Sequence, residues 1–186
     1  LGIPIAHIES GLRSFDRTMP EEINRIITDV LSDHLFVTEQ SGLDNLANEG
    51  IDPKKVHFVG NVMIDSLVHF MPKIEASVIH SELGIKPAHY GLVTFHRPSN
   101  VDEFDYLKDL LDYLVELSNR LPIVFPIHPR TRNNLAQKGI DIPSNNNLIV
   151  TEPIGYLDFL ALARSAKLVI TDSGGIQEET TFMNVQ

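Results

Sequence analysis

Short apolar runs rich in β-branched residues recur along this chain, and most are followed by a stretch with helical spacing. Such runs suit strands buried on both faces, and in soluble proteins that means a parallel sheet covered by helices. The runs are Ile3 to Ile8, Leu35 to Thr38 and Val56 to Val59, then Gly91 to Phe95, Ile123 to Ile127, Leu148 to Thr151 and Leu168 to Thr171. Helices are predicted over Ser41 to Glu49 with Gly50 as the stop, Val62 to Met71, Asp105 to Asn119, Tyr156 to Ser165, and onward from Gly174. Another opens at Pro20, with Ile23, Ile26, Ile27, Val30 and Leu31 as an apolar stripe for a core face and Thr18, Pro20 and Glu21 as cap, first-turn proline and capping-box acid. Between Pro72 and Ala88 the pattern weakens, so a linker or domain joint is expected there. Two α/β units in tandem are the simplest account.

Composition narrows the function classes. The chain has 186 residues, with 15 Lys plus Arg against 25 Asp plus Glu, a formal charge of −10. A nucleic-acid partner is not expected, because tracking phosphates needs a basic face. The absence of cysteine excludes a disulfide framework, thiolate metal sites and cysteine nucleophiles. No apolar run approaches the roughly 18 residues that a membrane-crossing helix needs, so a soluble cytoplasmic protein with no membrane partner is expected. The chain opens in a strand-like run without Met and stops at Gln186 with no terminal signal, so a fragment is expected.

In parallel α/β sheets, ligands bind beyond the carboxyl ends of strands, and four polar sets stand there. Thr171 to Glu179 places Gly174 and Gly175 at a helix start, where exposed amides suit a phosphate or pyrophosphate. The alternative is a plain turn in which Ser173 or Asp172 caps the helix. Glu179, a turn or more along, suits sugar hydroxyls; alternatively it is a solvated acid complementing the helix dipole. His7 to Arg13 sets His7 and Glu9 two apart, but no third metal ligand appears at suitable spacing. Glu9 reads as an acid or base, or as a salt-bridge partner of Arg13. Glu21 reads first as a capping acid; if the preceding loop folds back, Glu9 and Glu21 face one pocket, as paired acid and base work requires. Finally, Thr94 to Pro98 and Ile127 to Arg130 each place a histidine and an arginine beyond a strand, a pairing suited to phosphate oxygens.

Together, His7 to Arg13, Met19 to Arg25, Gly60 to Asp65, Thr94 to Arg97, His128 to Arg130 and Thr171 to Glu179 resemble the non-hydrolysing UDP-N-acetylglucosamine 2-epimerases, in the family's order and over nearly the whole chain. The resemblance implies two Rossmann-like domains in the glycosyltransferase type B arrangement, with the active site in the cleft between them. Residues 1–72 would finish the first domain and residues 73–186 open the second, UDP-binding one. It also implies reversible inversion at carbon 2 of the sugar by expulsion and re-addition of UDP, with no cofactor and no metal. Glu9 and Glu21 match the catalytic carboxylates, and His96, counted with them, matches the histidine that contacts the UDP phosphates. Ser173, Gly174 and Gly175 match the diphosphate turn, Glu179 the acid on the ribose, and Phe159 an aromatic beside the uracil. Ile154 stands where some members have a polar uracil contact. Arg97 and His128 correspond to residues near an activator site for a second UDP-sugar. Members carry a further catalytic aspartate upstream and an arginine downstream, so this stretch alone is expected to be inactive. A homodimer is expected of the complete protein, and a role in cell-surface polysaccharide precursor synthesis. Competing functions are a UDP-diacetamido uronic acid epimerase, a hydrolysing epimerase, a type B glycosyltransferase, and a nucleotide-sugar-binding module without catalysis.

Overall fold

Runs apolar on both sides pair in parallel, and they do so here in two separate sheets. The computed structural model describes residues 2–142 and 147–186 and divides into a unit up to Ser66 and a unit from Leu67. In the first, strands β1 (Ala6–Ile8), β2 (His34–Val37) and β3 (Val56–Phe58) form a parallel sheet in the order β1-β2-β3. Helix α1 (Pro20–Leu31) follows β1, α2 (Gln40–Asn48) follows β2, and a 3-10 turn, Pro53–Lys55, leads into β3. Leu35 and Val37 are fully buried against Leu46 of α2.

Three expectations fail in this unit. The run from Ile3 is a strand only over Ala6–Ile8, and Ile3, Ile5 and Ile8 are exposed. Ile5 is held outside the ladder, donating its amide to Asp33 Oδ2 at 2.9 Å. The apolar stripe of α1 also faces outward: Ile27, Val30 and Leu31 are 51%, 58% and 63% exposed, while Glu22 and Asp29, seven apart on the other face, are buried. That face is drawn inward because its two acids collect the amides of the β1–α1 loop. Nor does Thr18 cap α1. Its hydroxyl bonds Asp16, Met19 occupies the cap position, and no side chain caps the helix.

In the second unit, β4 (Gly91–Thr94), β5 (Ile123–Pro126), β6 (Leu148–Thr151) and β7 (Leu168–Thr171) form a parallel sheet in the order β6-β5-β4-β7. Side chains alternate across it. Leu92 and Val124 pack against α8 (Tyr156–Ser165), α4 (Ile79–Glu82) and the part of α3 (Val62–Glu75) from Leu67 on. Val93, Ile123 and Phe125 pack against α6 (Phe104–Ser118) and α7 (Pro129–Gln137). Both faces are therefore covered by helices. The stretch from Pro72 is not a linker: α3 runs through Pro72 to Glu75, and the short α4 follows. A short α5 (Pro98–Val101) and the polar α7 have no apolar stripe to announce them, and α9 (Gly174–Phe182) ends the described elements.

The turn after β1 depends on one close approach. Gly11 has φ +80, and a Cβ there would fall on the carbonyl oxygen of Gly42 in α2. Gly50 has a similar φ of +75 but open space around it. Gly11→Ala is expected to cost on the order of 2 kcal/mol or more, strain plus displacement, and Gly50→Ala about 1 kcal/mol. Urea unfolding midpoints of the two variants compare them directly; equal losses would mean that the approach to Gly42 is not felt.

Candidate functional site

The order β6-β5-β4-β7 reverses the direction in which the second sheet grows: the chain proceeds from β4 outward through β5 and β6, then returns to the opposite side of β4 as β7. At such a reversal the loops leaving adjacent strand ends diverge and open a crevice. Thr94 and Thr171, the last residues of β4 and β7, stand in register with their hydroxyl oxygens 2.8 Å apart. His96 and Arg97 leave one strand end, Asp172 to Gly175 the other.

Helix α9 starts without a cap. Ser173 occupies the cap position in extended conformation, its hydroxyl makes no capping bond, and Gln177 N to Ser173 O at 3.1 Å is the first bond of the helix. The amides of Gly174, Gly175 and Ile176 lie ahead of that bond as open donors. Asp172 does not cap α9 either. Its carboxylate accepts from the amides of His96 (3.1 Å) and Arg97 (2.9 Å), from Asn100 Nδ2 (3.0 Å) and from His96 Nδ1 (2.8 Å). Burial pushes the Asp172 carboxyl up, but the Arg97 amide, Asn100 and His96 outweigh it and hold the group below the usual carboxylate range. The plain-turn alternative, with Ser173 or Asp172 capping α9, therefore does not hold.

His96, His128, Ser173, Ile154 and Phe159 line one cavity of about 210 Å³, walled further by Pro126, Pro153 and Ile176. The lining combines apolar side chains with two imidazoles and a helix start, a combination that suits a planar base with an attached anion. The rings of His96 and His128 are 6.3 Å apart, and His128 Nδ1 accepts the Arg130 amide at 3.2 Å as the cap of α7. Arg97 Nε donates to the Asp172 carbonyl at 2.7 Å. A wider depression of about 660 Å³ lies along Phe95, Asn100, Tyr106 and Tyr113; among its described lining residues the charged one is the acid Asp109, which disfavours an anion. Glu179 is buried in α9 and takes a 3.0 Å bond from the Tyr156 hydroxyl, so it is not a solvated dipole acid. That bond comes after burial among the causes that push Tyr156 up to about 12.

In the first unit, Glu9 sits in the turn after β1 with φ 64, a left-handed conformation that costs about 1 kcal/mol or more for a residue other than glycine. Neither the Glu9 side chain nor that of the exposed Glu21 has a hydrogen-bond or ion-pair partner among the described residues. Arg13 does not pair with Glu9. It lies buried between Asp29 (2.7 Å) and Glu49 (2.6 Å), and the Glu49 bond is the foremost reason its pKa is raised. The β1–α1 loop does fold back, but not through Glu21: Glu22 accepts from Ser14 N (2.8 Å) and Phe15 N (3.1 Å), and Asp29 accepts from His7 Nδ1 (2.5 Å) and Gly11 N (3.1 Å). The Ser14 amide, ahead of the opposing effect of burial, holds the Glu22 carboxyl below its ordinary range.

Asp172, Tyr156, Glu22 and Asp29 were not singled out by sequence as site residues. Only Glu22 and Asp29 carried a usable signal, their spacing of seven on the face opposite the apolar stripe.

A family model described as UDP-N-acetylglucosamine 2-epimerase matches residues 1–186. A UDP-N-acetylglucosamine 2-epimerase of Methanococcus maripaludis is 44% identical over 192 residues, covering 100% of this chain and 52% of its own length. A UDP-2,3-diacetamido-2,3-dideoxy-D-glucuronate 2-epimerase of Pseudomonas aeruginosa is 42% identical, covering 98% of this chain and 50% of its own length. The crystal structure of the Methanocaldococcus jannaschii UDP-GlcNAc 2-epimerase in complex with UDP-GlcNAc and UDP superposes with a TM-score of 0.83 at 39% identity, over 98% of this chain and 52% of that one. The wall teichoic acid polymerase TagF, at 16% identity and a TM-score of 0.57, shares the fold alone. The chain thus spans about half the length of the curated relatives it matches.

Glu179 is charged at an energetic disadvantage: burial raises its carboxyl, the Tyr156 bond lowers it, Glu178 raises it, and the net is upward. The folded state therefore holds the proton more tightly than the unfolded one. That contribution to stability is full below the ordinary value of 4.5 and is lost as the pH rises through the folded value. Glu179→Gln is expected to raise the thermal midpoint at pH 7, with the gain vanishing below about pH 4.5. No gain at pH 7 would contradict a desolvated, charged Glu179.

Proposed function

The chain belongs to the UDP-N-acetylglucosamine 2-epimerase family, and on that basis we propose that the complete protein interconverts UDP-N-acetylglucosamine and UDP-N-acetylmannosamine without hydrolysis. The cavity at the β4–β7 reversal carries this assignment, because its apolar walls suit a planar base and it is also lined by His96, His128 and, at the start of α9, Ser173 and Ile176, groups suited to a pyrophosphate. We take residues 1–72 as part of a first domain and residues 73–186 as part of a UDP-binding one, and residues 1–186 alone as inactive.

The proton on carbon 2 is too weakly acidic for simple removal. Departure of UDP solves this: a carboxylate takes the proton, the C1–O bond breaks toward the pyrophosphate, and a C1–C2 double bond forms. Re-addition of UDP to this 2-acetamidoglucal, with a proton delivered to the opposite face of carbon 2, gives the epimer. No electrons are exchanged with a cofactor. Glu9 and Glu21 are assigned the proton transfers, and their freedom from hydrogen-bond partners fits groups kept for substrate. His96 and the amides of Gly174 and Gly175 are assigned the departing pyrophosphate, with Ser173 beside them. Phe159 is assigned the uracil and Glu179 the ribose hydroxyls. Arg97 and His128 are assigned to an activator site, the enzyme to the cytoplasm as a homodimer, and its product to transferases that build cell-surface polysaccharide.

A second substrate reading rests on the P. aeruginosa relative. Its 42% identity stands beside the 44% of the M. maripaludis enzyme, so both UDP-sugars belong in the test. Incubated with each in deuterated water, the complete protein is expected to place deuterium at carbon 2 of both epimers of its true substrate while UDP stays attached. Release of free sugar, or no exchange, would sink the proposal. Glu9→Gln and Glu21→Gln are each expected to lower the exchange rate roughly 100-fold or more. Because Glu21 makes no capping bond, Glu21→Gln should shift stability by no more than the dipole contribution, about 0.5 kcal/mol.

A further inference from the structure

We infer that Asp172 is a positioning residue for anion binding: by holding His96 and the amides beside it across the β4–β7 reversal, it fixes the imidazole and keeps the start of α9 free for the phosphates. The inference rests on the UDP reading above and goes beyond it, since Asp172 itself touches no phosphate in this scheme.

A carboxylate next to an anion site is at first sight misplaced. At an ordinary strand-to-helix turn an aspartate in this position would cap the following helix, fill its amides and repel a phosphate. Here the side chain turns the other way. Its oxygens take the His96 amide (3.1 Å), the Arg97 amide (2.9 Å), Asn100 Nδ2 (3.0 Å) and His96 Nδ1 (2.8 Å), which uses its accepting positions. With the Asp172 side chain 6% exposed, its charge is answered by donors from the loop after β4 and from Asn100 of α5.

Two consequences follow for the cavity. A carboxylate only accepts, so His96 Nδ1 carries the hydrogen of that 2.8 Å contact, and Nε2 is the ring nitrogen left for a ligand. The His96 ring is 47% exposed and would otherwise choose among rotamers, so this bond removes an entropy cost from binding. The Asp172 carbonyl meanwhile takes Arg97 Nε at 2.7 Å, and the terminal guanidinium nitrogens have no partner among the described residues. Among the described residues of this unit, the titratable groups in contact with the His96 ring are Asp172 from the β7–α9 turn and His128 from the β5–α7 turn.

The test compares UDP with uridine, using the complete protein and titration calorimetry. Asp172→Ala is expected to weaken UDP binding roughly 10-fold or more, the range of a charge-assisted bond, and to leave uridine binding within about 2-fold. Asp172→Asn, which keeps an accepting oxygen, is expected to recover part of the UDP affinity. Glu75→Gln serves as a control for loosened scaffolding, because Glu75 ties α3 to α8 through Arg164 at 2.9 Å and lines no part of the cavity; it should leave the ratio of UDP to uridine affinity unchanged. Equal losses for both ligands in Asp172→Ala, or no loss for UDP, overturn the inference while the UDP reading stands. If the unsubstituted protein binds neither UDP nor its sugar conjugate, the UDP reading falls and takes the inference with it. Should Asp172→Ala not fold, nitrogen-15 shifts of the His96 ring in the unsubstituted protein decide: a hydrogen on Nδ1 supports the inference, and a bare Nδ1 overturns it.

Discussion

The reversal of strand order between β4 and β7 is the constraint on which the rest of the second unit depends. Two strand ends stand side by side while their loops run apart, and the space between must be filled or left as a cavity. Ordinary loop side chains could fill it. Instead, the loop after β4 is tied outward to α7: Thr131 Oγ1 donates to the Phe95 carbonyl at 3.2 Å, and Arg130 grips Asp102 through two bonds of 2.9 and 2.6 Å. Asn134 and Lys138 add further bonds to the same segment. The polar surface of α7 is therefore a clamp on the β4 loop, which explains why that helix carries so little apolar periodicity.

Buried acids do similar work in both units. Asp29 and Glu22 gather the loop after β1, and Asp172 gathers the loop after β4. Each accepts backbone amides that would otherwise be unpaired, and Asp29 and Asp172 each also fix a strand-end histidine through Nδ1. A carboxylate is suited to this because it accepts several bonds at once, and bonds to a charged acceptor are about twice as strong as neutral ones. Part of the net charge of −10 is thus internal bonding rather than a repulsive surface.

Much of the fold was legible because it is written in apolar periodicity. The parallel sheets, the alternation with helices and the helices over Tyr156–Ser165 and from Gly174 all follow from spacing. What periodicity could not report was polar burial. The stripe on α1 predicts an inward apolar face, yet the inward face is the one with Glu22 and Asp29, because hydrogen-bond demand from the loop outweighs it locally. Glu21 resembled a capping acid by spacing, yet its neighbour Glu22 is the acid that binds the loop. Of the residues assigned to UDP, the structure gathers His96, Ser173 and Phe159 around one cavity with His128. It sets Glu179 apart, bonded to Tyr156. An aspartate before a glycine-rich helix start looks like a cap, yet the Asp172 carboxylate bonds across to the residues after β4 instead.

On the proposed function, the composition of that cavity bears on which UDP-sugar the complete protein would take. Its lining combines apolar walls at Pro126, Pro153, Ile154, Phe159 and Ile176 with polar groups at Ser173, His96 and His128. On the UDP reading these groups meet a base and phosphates, which UDP-N-acetylglucosamine and a UDP-diacetamido uronic acid share. A carboxylate at carbon 5 and an acetamido group at carbon 3 lie on the sugar, beyond the phosphates. Residues that bind only the shared part exert equal pull on both substrates and so cannot discriminate between them. Discrimination must then come from groups that touch the sugar ring, and a cation placed for the uronate carboxylate would be the physical mark of the second substrate.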